Sequence, residues 1–356
     1  MATATGARIE QLEVSTHELP TDGHESDGTL EWDSTTIVIV QAHAGGAVGL
    51  GYTYTDAAAA QLIEGKLQDA VAGADALDVR AAWRAMSRAL RNVGRPGLGF
   101  MALSAVDLAL WDLKARVLEQ PLVAVLDARH DAVPVYGSGG FCSYSDDRLA
   151  EQLAGWVERG IPRVKMKVGR EPERDRERVA VAREAVGHDV ELYVDANGAF
   201  TRQEALELAR VYAKEFDVTW FEEPVTSDDV QGLGLLREQA PPGIEIAAGE
   251  YGDILPYFER MVGSVDCLQA DVTRCGGITG LLDVAAVADK RGVDLSAHCA
   301  PALSAHAFCA VPRLRHLEYF HDHVRVEHEL FDGVLEPEDG RLRPDRSRPG
   351  NGLALR

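Results

Sequence analysis

The stretch Val164–Arg170, VKMKVGR, sets two lysines inside what otherwise reads as a buried β-strand. Two ammonium groups two residues apart in an apolar run are costly to desolvate. Side chains alternate along a strand, so Lys165 and Lys167 share one face and Met166 takes the other, with the lysine bases about 6–7 Å apart. If Met166 faces covering helices, both lysines enter the interior of whatever the strand closes. An isolated K-x-K is more often an edge strand whose lysines snorkel to solvent. The choice between these readings rests on the segments around it.

Outward from that strand, residues 132–320 alternate short apolar runs with amphipathic ones. The runs AVPVYG, RVKMKVG, ELYVDA, VTWFEEP, EIAAGE, CLQADV, DLSAHC and HLEYF read as strands, and segments such as EPERDRERVAVAREAVG, TRQEALELARVYAKEF and GITGLLDVAAVADKRG read as helices. Eight strands with helices between them predict a parallel (β/α) barrel. An open doubly wound sheet would carry G-x-G-x-x-G after its first strand, and none stands there. From the second strand on, each run ends in or carries a polar residue that a core strand should lack: Lys165 and Lys167, Asp195, Glu222 and Glu223, Glu250, Asp271, His298, Glu318. From Lys167 the steps are 28, 27, 28, 21, 27 and 20 residues, about one βα unit each. Solubility does not explain such a register. A barrel whose site gathers at the C-terminal ends of its strands does.

Residues 1–131 have a different pattern. STTIVIVQAHAGGAVGLGYTY predicts an antiparallel hairpin through a glycine turn, and DAAAAQLIEGKLQDAVAG and SAVDLALWDLKARVLEQ predict helices, so an α+β domain precedes the barrel. Its HAGGAVGLGYTY is G-x-x-G-x-G between two strands with no helix directly after it, which disfavours a phosphate-binding loop. The barrel is expected over 132–325. The Pro/Gly-rich segment 326–356 is expected to pack back on the N-terminal domain. The 356 residues include 36 basic and 57 acidic side chains, a net charge of −21. Such a surface repels phosphate backbones and anionic lipids, excluding nucleic-acid and membrane partners. Five scattered cysteines without C-x-x-C spacing read as free thiols in a reducing cytoplasm. Neither a signal peptide nor a membrane span is visible.

The polar strand ends suggest chemistry. Asp195, Glu222 and Glu250 end three successive strands, and three converging carboxylates repel one another unless a hard divalent cation joins them. All-oxygen ligation suits Mg2+. Asp195 also reads as a helix N-cap, and strand alternation lets only one of Glu222 and Glu223 face such an ion. Asp271 and His298 end neighbouring strands, where a carboxylate can fix the imidazole tautomer and leave the other nitrogen free for proton transfer. Each lysine disfavours its neighbour's charge, which is expected to lower the pKa of Lys167 toward use as a base.

With these residues assembled, the chain resembles the enolase superfamily, in particular its mandelate racemase-like subgroup. VKMKVG, VDANG, WFEEP, AAGE, QADVTRCGGITG and LSAHCAPAL follow that subgroup's motifs in order, FMALSAVDLALWDLKARVLEQPL is similar to its link into the barrel, and SRPGNGL to its C-terminal end. The resemblance covers nearly the whole chain. It implies an α+β capping domain over a modified (β/α)7β barrel, with Asp195, Glu222 and Glu250 as Mg2+ ligands, Glu222 rather than Glu223. It implies Lys167 as base on one face of the substrate with Lys165 beside it, and His298 supported by Asp271 as acid/base on the other. Glu318 matches the electrophilic acid near the substrate carboxylate, and Asn197 is expected at the substrate or metal shell. Related enzymes are generally homo-oligomers. VLDARHDAVPVY departs from a Gly-rich turn usual in relatives. The His-x-His of FHDHVRVEH is expected to lie in an exposed polar loop rather than to bind a second metal.

The reaction so implied is abstraction of a proton α to a carboxylate, giving an enediolate. From there His298 can protonate a departing β-hydroxyl, yielding a 2-keto-3-deoxy acid, or return a proton to the α-carbon, which is racemisation or epimerisation. Residues 15–33, STHELPTDGHESDGTLEWD, are expected to form a polar capping loop near the barrel mouth, with His24 among its substrate contacts. That polarity favours a hydroxyl-rich acid sugar, hence dehydration. A non-catalytic member of the fold ranks last, since no expected ligand or base is missing.

Overall fold

The computed structural model describes residues 6–356. Its N-terminal sheet is antiparallel, in the order β1 (Gln11–Ser26), β2 (Glu31–Ala44), β3 (Ala47–Tyr54). β2 and β3 form the predicted hairpin, in register from Ile37↔Tyr54 to Ala44↔Ala47. β1 was not foreseen. Most of the segment expected as a capping loop is this strand, paired with β2 from Gln11↔His43 to Pro20↔Ser34 and, after a register shift, at Glu25↔Trp32. An edge strand has one row of backbone groups free and needs few apolar side chains, so its polar sequence and Pro20 hid it. Only the tip between β1 and β2 turns, and it presses on the barrel. A Cβ on Gly28 would lie 2.4 Å from the Ala196 carbonyl oxygen and 2.6 Å from that of Val168.

The helix Leu98–Val117 covers β3. A Cβ on Gly49 would stand 2.2 Å from the Ala109 oxygen, and one on Gly51 2.4 Å from the Ala105 oxygen and the Ala109 nitrogen. Glycine alone permits that approach, and the helix buries most of its circumference between sheet and barrel. Ser104 Oγ accepts from Gly276 N and Gly277 N at 3.0 Å each. Asp107 accepts from Thr279 N at 2.9 Å and from its hydroxyl at 2.7 Å. The first turn of the barrel helix Gly277–Arg291, which has no side-chain cap of its own, is thereby capped from the other domain.

The barrel comprises β4 (Val133–Gly139), β5 (Arg163–Lys167), β6 (Glu191–Asp195), β7 (Val218–Glu222), β8 (Glu245–Ala248), β9 (Cys267–Ala270), β10 (Asp294–Ala297) and β11 (Leu314–Phe320). Consecutive strands are parallel neighbours, and Leu317↔Val135 closes β11 onto β4. Helices follow where the periodicity put them, as at Pro172–Val186 and at Arg202–Phe216, which opens on a Thr201/Glu204 capping box. Inside, Tyr136, Tyr193, Trp220, Ala247 and Cys267 form an apolar floor, with Tyr193 stacked on Trp220 at 5.4 Å. Lys165 Nζ lies 5.4 Å above the Tyr136 ring, so the ionic layer begins directly over that floor.

After β11, FHDHVRVEH is not an exposed loop. It opens the helix His321–Leu330, in which His323 and Glu327 are buried. Its polar side chains go inward because they find hydrogen-bond partners there. The C-terminal residues reach the N-terminal domain: Asn351 Nδ2 donates to the Leu50 oxygen at 3.1 Å, and Arg116 donates to the Leu353 oxygen at 2.8 Å. Among the described residues no helix is long and apolar enough to cross a membrane.

Candidate active site at the barrel mouth

Strand register carries the polar residues to one level. Lys167 pairs with Asp195 and Asp195 with Glu222, so the ends of β5, β6 and β7 lie side by side. Glu250, Asp271 and His298 follow the ends of β8, β9 and β10, and Glu318 lies within β11. These carboxylates, both lysines and His298 are at most 6% exposed. Donor oxygens of Asp195, Glu222 and Glu250 lie within 4.8 Å of one another. Lys167 Nζ donates to Asp195 Oδ2 at 2.5 Å. Lys165 Nζ donates to Glu222 Oε1 at 2.6 Å and lies 2.8 Å from Glu318 Oε1 and 3.1 Å from Asp195 Oδ2.

The expected lowering of Lys167 by Lys165 is present here but outweighed. Burial and Lys165 both push Lys167 down, yet Asp195, with Glu250 and Glu318 behind it, holds it above its ordinary value. Lys165 is likewise raised, because Glu222 and Glu318 outweigh its desolvation. The same contacts keep Glu318 ionised: burial would raise it, but Lys165 and then His298 draw it well below the carboxylate range. Glu318 also accepts a bond from Ser138 Oγ at 2.7 Å.

His298 and Asp271 meet as predicted, with 2.8 Å between Nδ1 and Asp271 Oδ2. Thr273 donates to the other Asp271 oxygen through its amide and its hydroxyl, both at 2.7 Å. Asp271 therefore stays anionic: burial raises it, and the hydrogen bond from His298, then Arg274, bring it below its ordinary value. An Nδ1–H so anchored leaves Nε2 facing the cluster, 3.3 Å from Glu250 Oε2 and 3.5 Å from Glu318 Oε2. Around the ring, β4 and β11 separate the lysine strand from the histidine strand on one side and β6 to β9 on the other.

Asn197 stands at the rim. Its backbone is left-handed (φ 45°), its oxygen takes a bond from Thr29 of the capping tip, and Nδ2 reaches Tyr251 Oη at 3.4 Å. His24 is outside the cluster, largely exposed and 3.5 Å from Glu31.

Several site residues escaped sequence reasoning. Glu223 also belongs to the buried ionic layer. β7 ends at Glu222, so strand alternation no longer applies, and a left-handed backbone (φ 39°) turns Glu223 back. Both its oxygens lack partners, and burial, then Glu250 and Asp195, push its carboxyl well above the ordinary range. Arg274 donates to the Glu250 backbone oxygen at 3.2 Å, and Trp220 Nε1 donates to Glu222 Oε2 at 3.0 Å. The doubled Glu of FEEP and the Arg within DVTRCGG were the available signals.

This layer holds six carboxylates against Lys165, Lys167 and Arg274. Glu250 Oε2 also lacks a hydrogen-bond partner. Such an excess of buried carboxyl oxygens over cationic partners fits a hard divalent cation of the Mg2+ type on Asp195, Glu222 and Glu250. Between the sheet and the barrel a cleft of about 400 Å³ is lined by Trp32, Tyr54, Asp56, Asp322 and His323 among others. A larger one of about 580 Å³, beside Asp131 and residues 334–346, touches none of the site residues.

Comparison with known proteins agrees with this geometry. Residues 148–356 match the family model described as enolase C-terminal domain-like, and residues 18–126 match that of the mandelate racemase/muconate lactonizing enzyme N-terminal domain. A mandelate racemase/muconate lactonizing enzyme-like protein from Rubrobacter xylanophilus is 60% identical, with a TM-score of 0.97 over 98% of this chain and 97% of its own. A racemase from Streptomyces coelicolor, crystallised with bound magnesium, is 33% identical with a TM-score of 0.91 over 98% and 97% of the two chains. The L-talarate/galactarate dehydratase of Salmonella typhimurium is 32% identical over 96% of this chain and 87% of its own. The 3,6-anhydro-α-L-galactonate cycloisomerase of Streptomyces coelicolor is 34% identical over 98% and 97%. With the motifs in order, the barrel closed and both domains matched, the chain belongs to the enolase superfamily, in its mandelate racemase-like subgroup.

Proposed function

We propose that this chain is a Mg2+-dependent lyase that dehydrates an acid sugar to a 2-keto-3-deoxy acid through an enediolate. The observation that carries the reading is the pairing of Lys165 and Lys167 on one side of a three-carboxylate cluster with the Asp271–His298 dyad on another strand pair. Curated relatives named L-talarate/galactarate, arabinonate, L-rhamnonate and D-gluconate dehydratase support the substrate class. Asp195, Glu222 and Glu250 would hold the cation, which when bound would withdraw charge from the substrate carboxylate.

The residues then divide the work. Lys167 Nζ, once its own proton has passed to solvent, takes the α-proton. Lys165 remains charged and donates to the developing enediolate oxygen, a place where a fixed cation in a dry site is worth far more than in water. His298 holds its Nδ1 proton toward Asp271 and delivers the Nε2 proton to the departing β-hydroxyl, which leaves as water. Glu318, fixed by Ser138 and Lys165, keeps the ammonium aimed.

Cycloisomerisation is the second reading, favoured by the 34% identity to a cycloisomerase over almost the whole chain. Racemisation or epimerisation of a 2-hydroxy acid uses the same residues. The test is a panel of mono- and diacid sugars and their lactones with Mg2+, scored for 2-keto product. Solvent deuterium entering the α-carbon without 2-keto product overturns dehydration in favour of racemisation. Isomerisation of a lactone or anhydro sugar without loss of water overturns it in favour of cycloisomerisation.

A further inference from the structure

The backbone directly after His298 is strained. Cys299 (φ 51°) and Ala300 (φ 44°) are consecutive left-handed residues with side chains. Each such conformation is unfavourable for a residue with a side chain and persists only where its surroundings impose it.

The helix His321–Leu330 supplies those surroundings. His323 Nδ1 accepts from Ala300 N–H at 3.2 Å, and Glu327 Oε2 accepts from Ala302 N–H at 3.1 Å. The two are one helical turn apart and present one face to the bend. Behind each stands an aromatic residue of β3. The Tyr54 ring lies flat on His323, with centroids 3.5 Å apart and planes 9° apart. The Tyr52 hydroxyl meets Glu327 Oε1 at 2.5 Å. Tyr52 and Tyr54, two residues apart on a strand, share a face. Two parallel rungs result, Tyr54–His323–Ala300 and Tyr52–Glu327–Ala302, running from the capping sheet through the helix to the bend.

We infer that His323 and Glu327 are positioning residues through which docking of the capping domain fixes the bend after His298 and thereby aims its imidazole. The inference rests on the proton-transfer role given above to His298, and neither residue touches the reacting atoms. The neutral His323 acts through Nδ1 as an acceptor. Asparagine offers an amide oxygen near the same place, and leucine fills the volume without one.

The test compares His323→Leu and His323→Asn in the Mg2+-loaded enzyme. In H323L the downfield imidazole proton of His298, hydrogen-bonded to Asp271, is expected to broaden or shift in the NMR spectrum, and H323N is expected to restore it. With the acid sugar turned over by the wild type, kcat of H323L is expected to fall about 10²-fold while KM stays within about threefold, as a misaimed group costs turnover more than binding. H323N is expected to recover at least half of that loss on a logarithmic scale. An unchanged His298 signal in H323L overturns the inference, as does a loss of kcat that H323N fails to recover. The NMR arm needs no substrate, so failure of the dehydratase reading leaves it decisive.

Discussion

Glu327 offers a direct measure of what the rungs between cap and barrel cost. It is fully buried, and desolvation pushes its carboxyl from 4.5 up to about 8, against the lowering effect of the Tyr52 and Ala302 hydrogen bonds. At about 1.36 kcal/mol per pH unit, that difference is worth about 5 kcal/mol. The native state holds this proton more tightly than the unfolded chain does. Glu327 therefore takes nothing from stability below about pH 4.5, takes progressively more as pH rises to about 8, and takes a constant amount above that. In Glu327→Gln the amide oxygen can accept from Ala302 and the amide nitrogen can donate to Tyr52, with nothing left to titrate. Equilibrium urea unfolding of both proteins across about pH 4.5 to 9 is the assay. The stability of E327Q relative to wild type is expected to climb by several kcal/mol over that range and then level. Parallel curves would refute the reasoning, because a carboxyl forced neutral by burial must show this linkage.

Other outcomes follow from packing and site chemistry. Gly51→Ala drives a Cβ to 2.4 Å from the Ala105 oxygen and is expected to destabilise by about 1–3 kcal/mol, read as a lower melting temperature. Asp271→Asn removes the acceptor that fixes the His298 tautomer and is expected to lower kcat by about 10²–10⁴-fold with little change in KM. An equal loss in both parameters would contradict that role. Glu250→Gln removes one charge from the proposed ion site and is expected to weaken Mg2+ binding about 10²-fold, near 3 kcal/mol by calorimetry. Unchanged affinity would move the ion elsewhere.

The barrel was legible because it repeats. Each strand is short and apolar and ends in a polar residue at the spacing of one βα unit, so Lys167, Asp195, Glu222, Glu250, Asp271, His298 and Glu318 announced themselves together. What stayed hidden lacks that periodicity. β1 is an edge strand whose polar side chains satisfy only one buried face. The helix His321–Leu330 looked like a loop because its histidines and glutamate read as solvent-seeking, whereas His323 and Glu327 bury themselves by taking backbone N–H groups from another segment. Glu223 was lost to strand alternation, which ends at the very residue before it. The direction of the lysine pKa values depends on distances to Asp195, Glu222 and Glu318, and strand spacing alone supplies only the repulsion between the lysines.

The capping of the barrel helix Gly277–Arg291 by Ser104 and Asp107 bears on how the molecule folds. That helix starts with orphan amides and no cap of its own, four residues after Thr273, the residue that anchors Asp271. A barrel cut free at residue 132 would leave the amides of Gly276, Gly277 and Thr279 without their partners just behind the Asp271 segment, and an uncapped start frays. Cap and barrel are thus expected to unfold as one cooperative unit, so separate melting transitions for the two halves should not occur and the barrel expressed alone should be a poor folder.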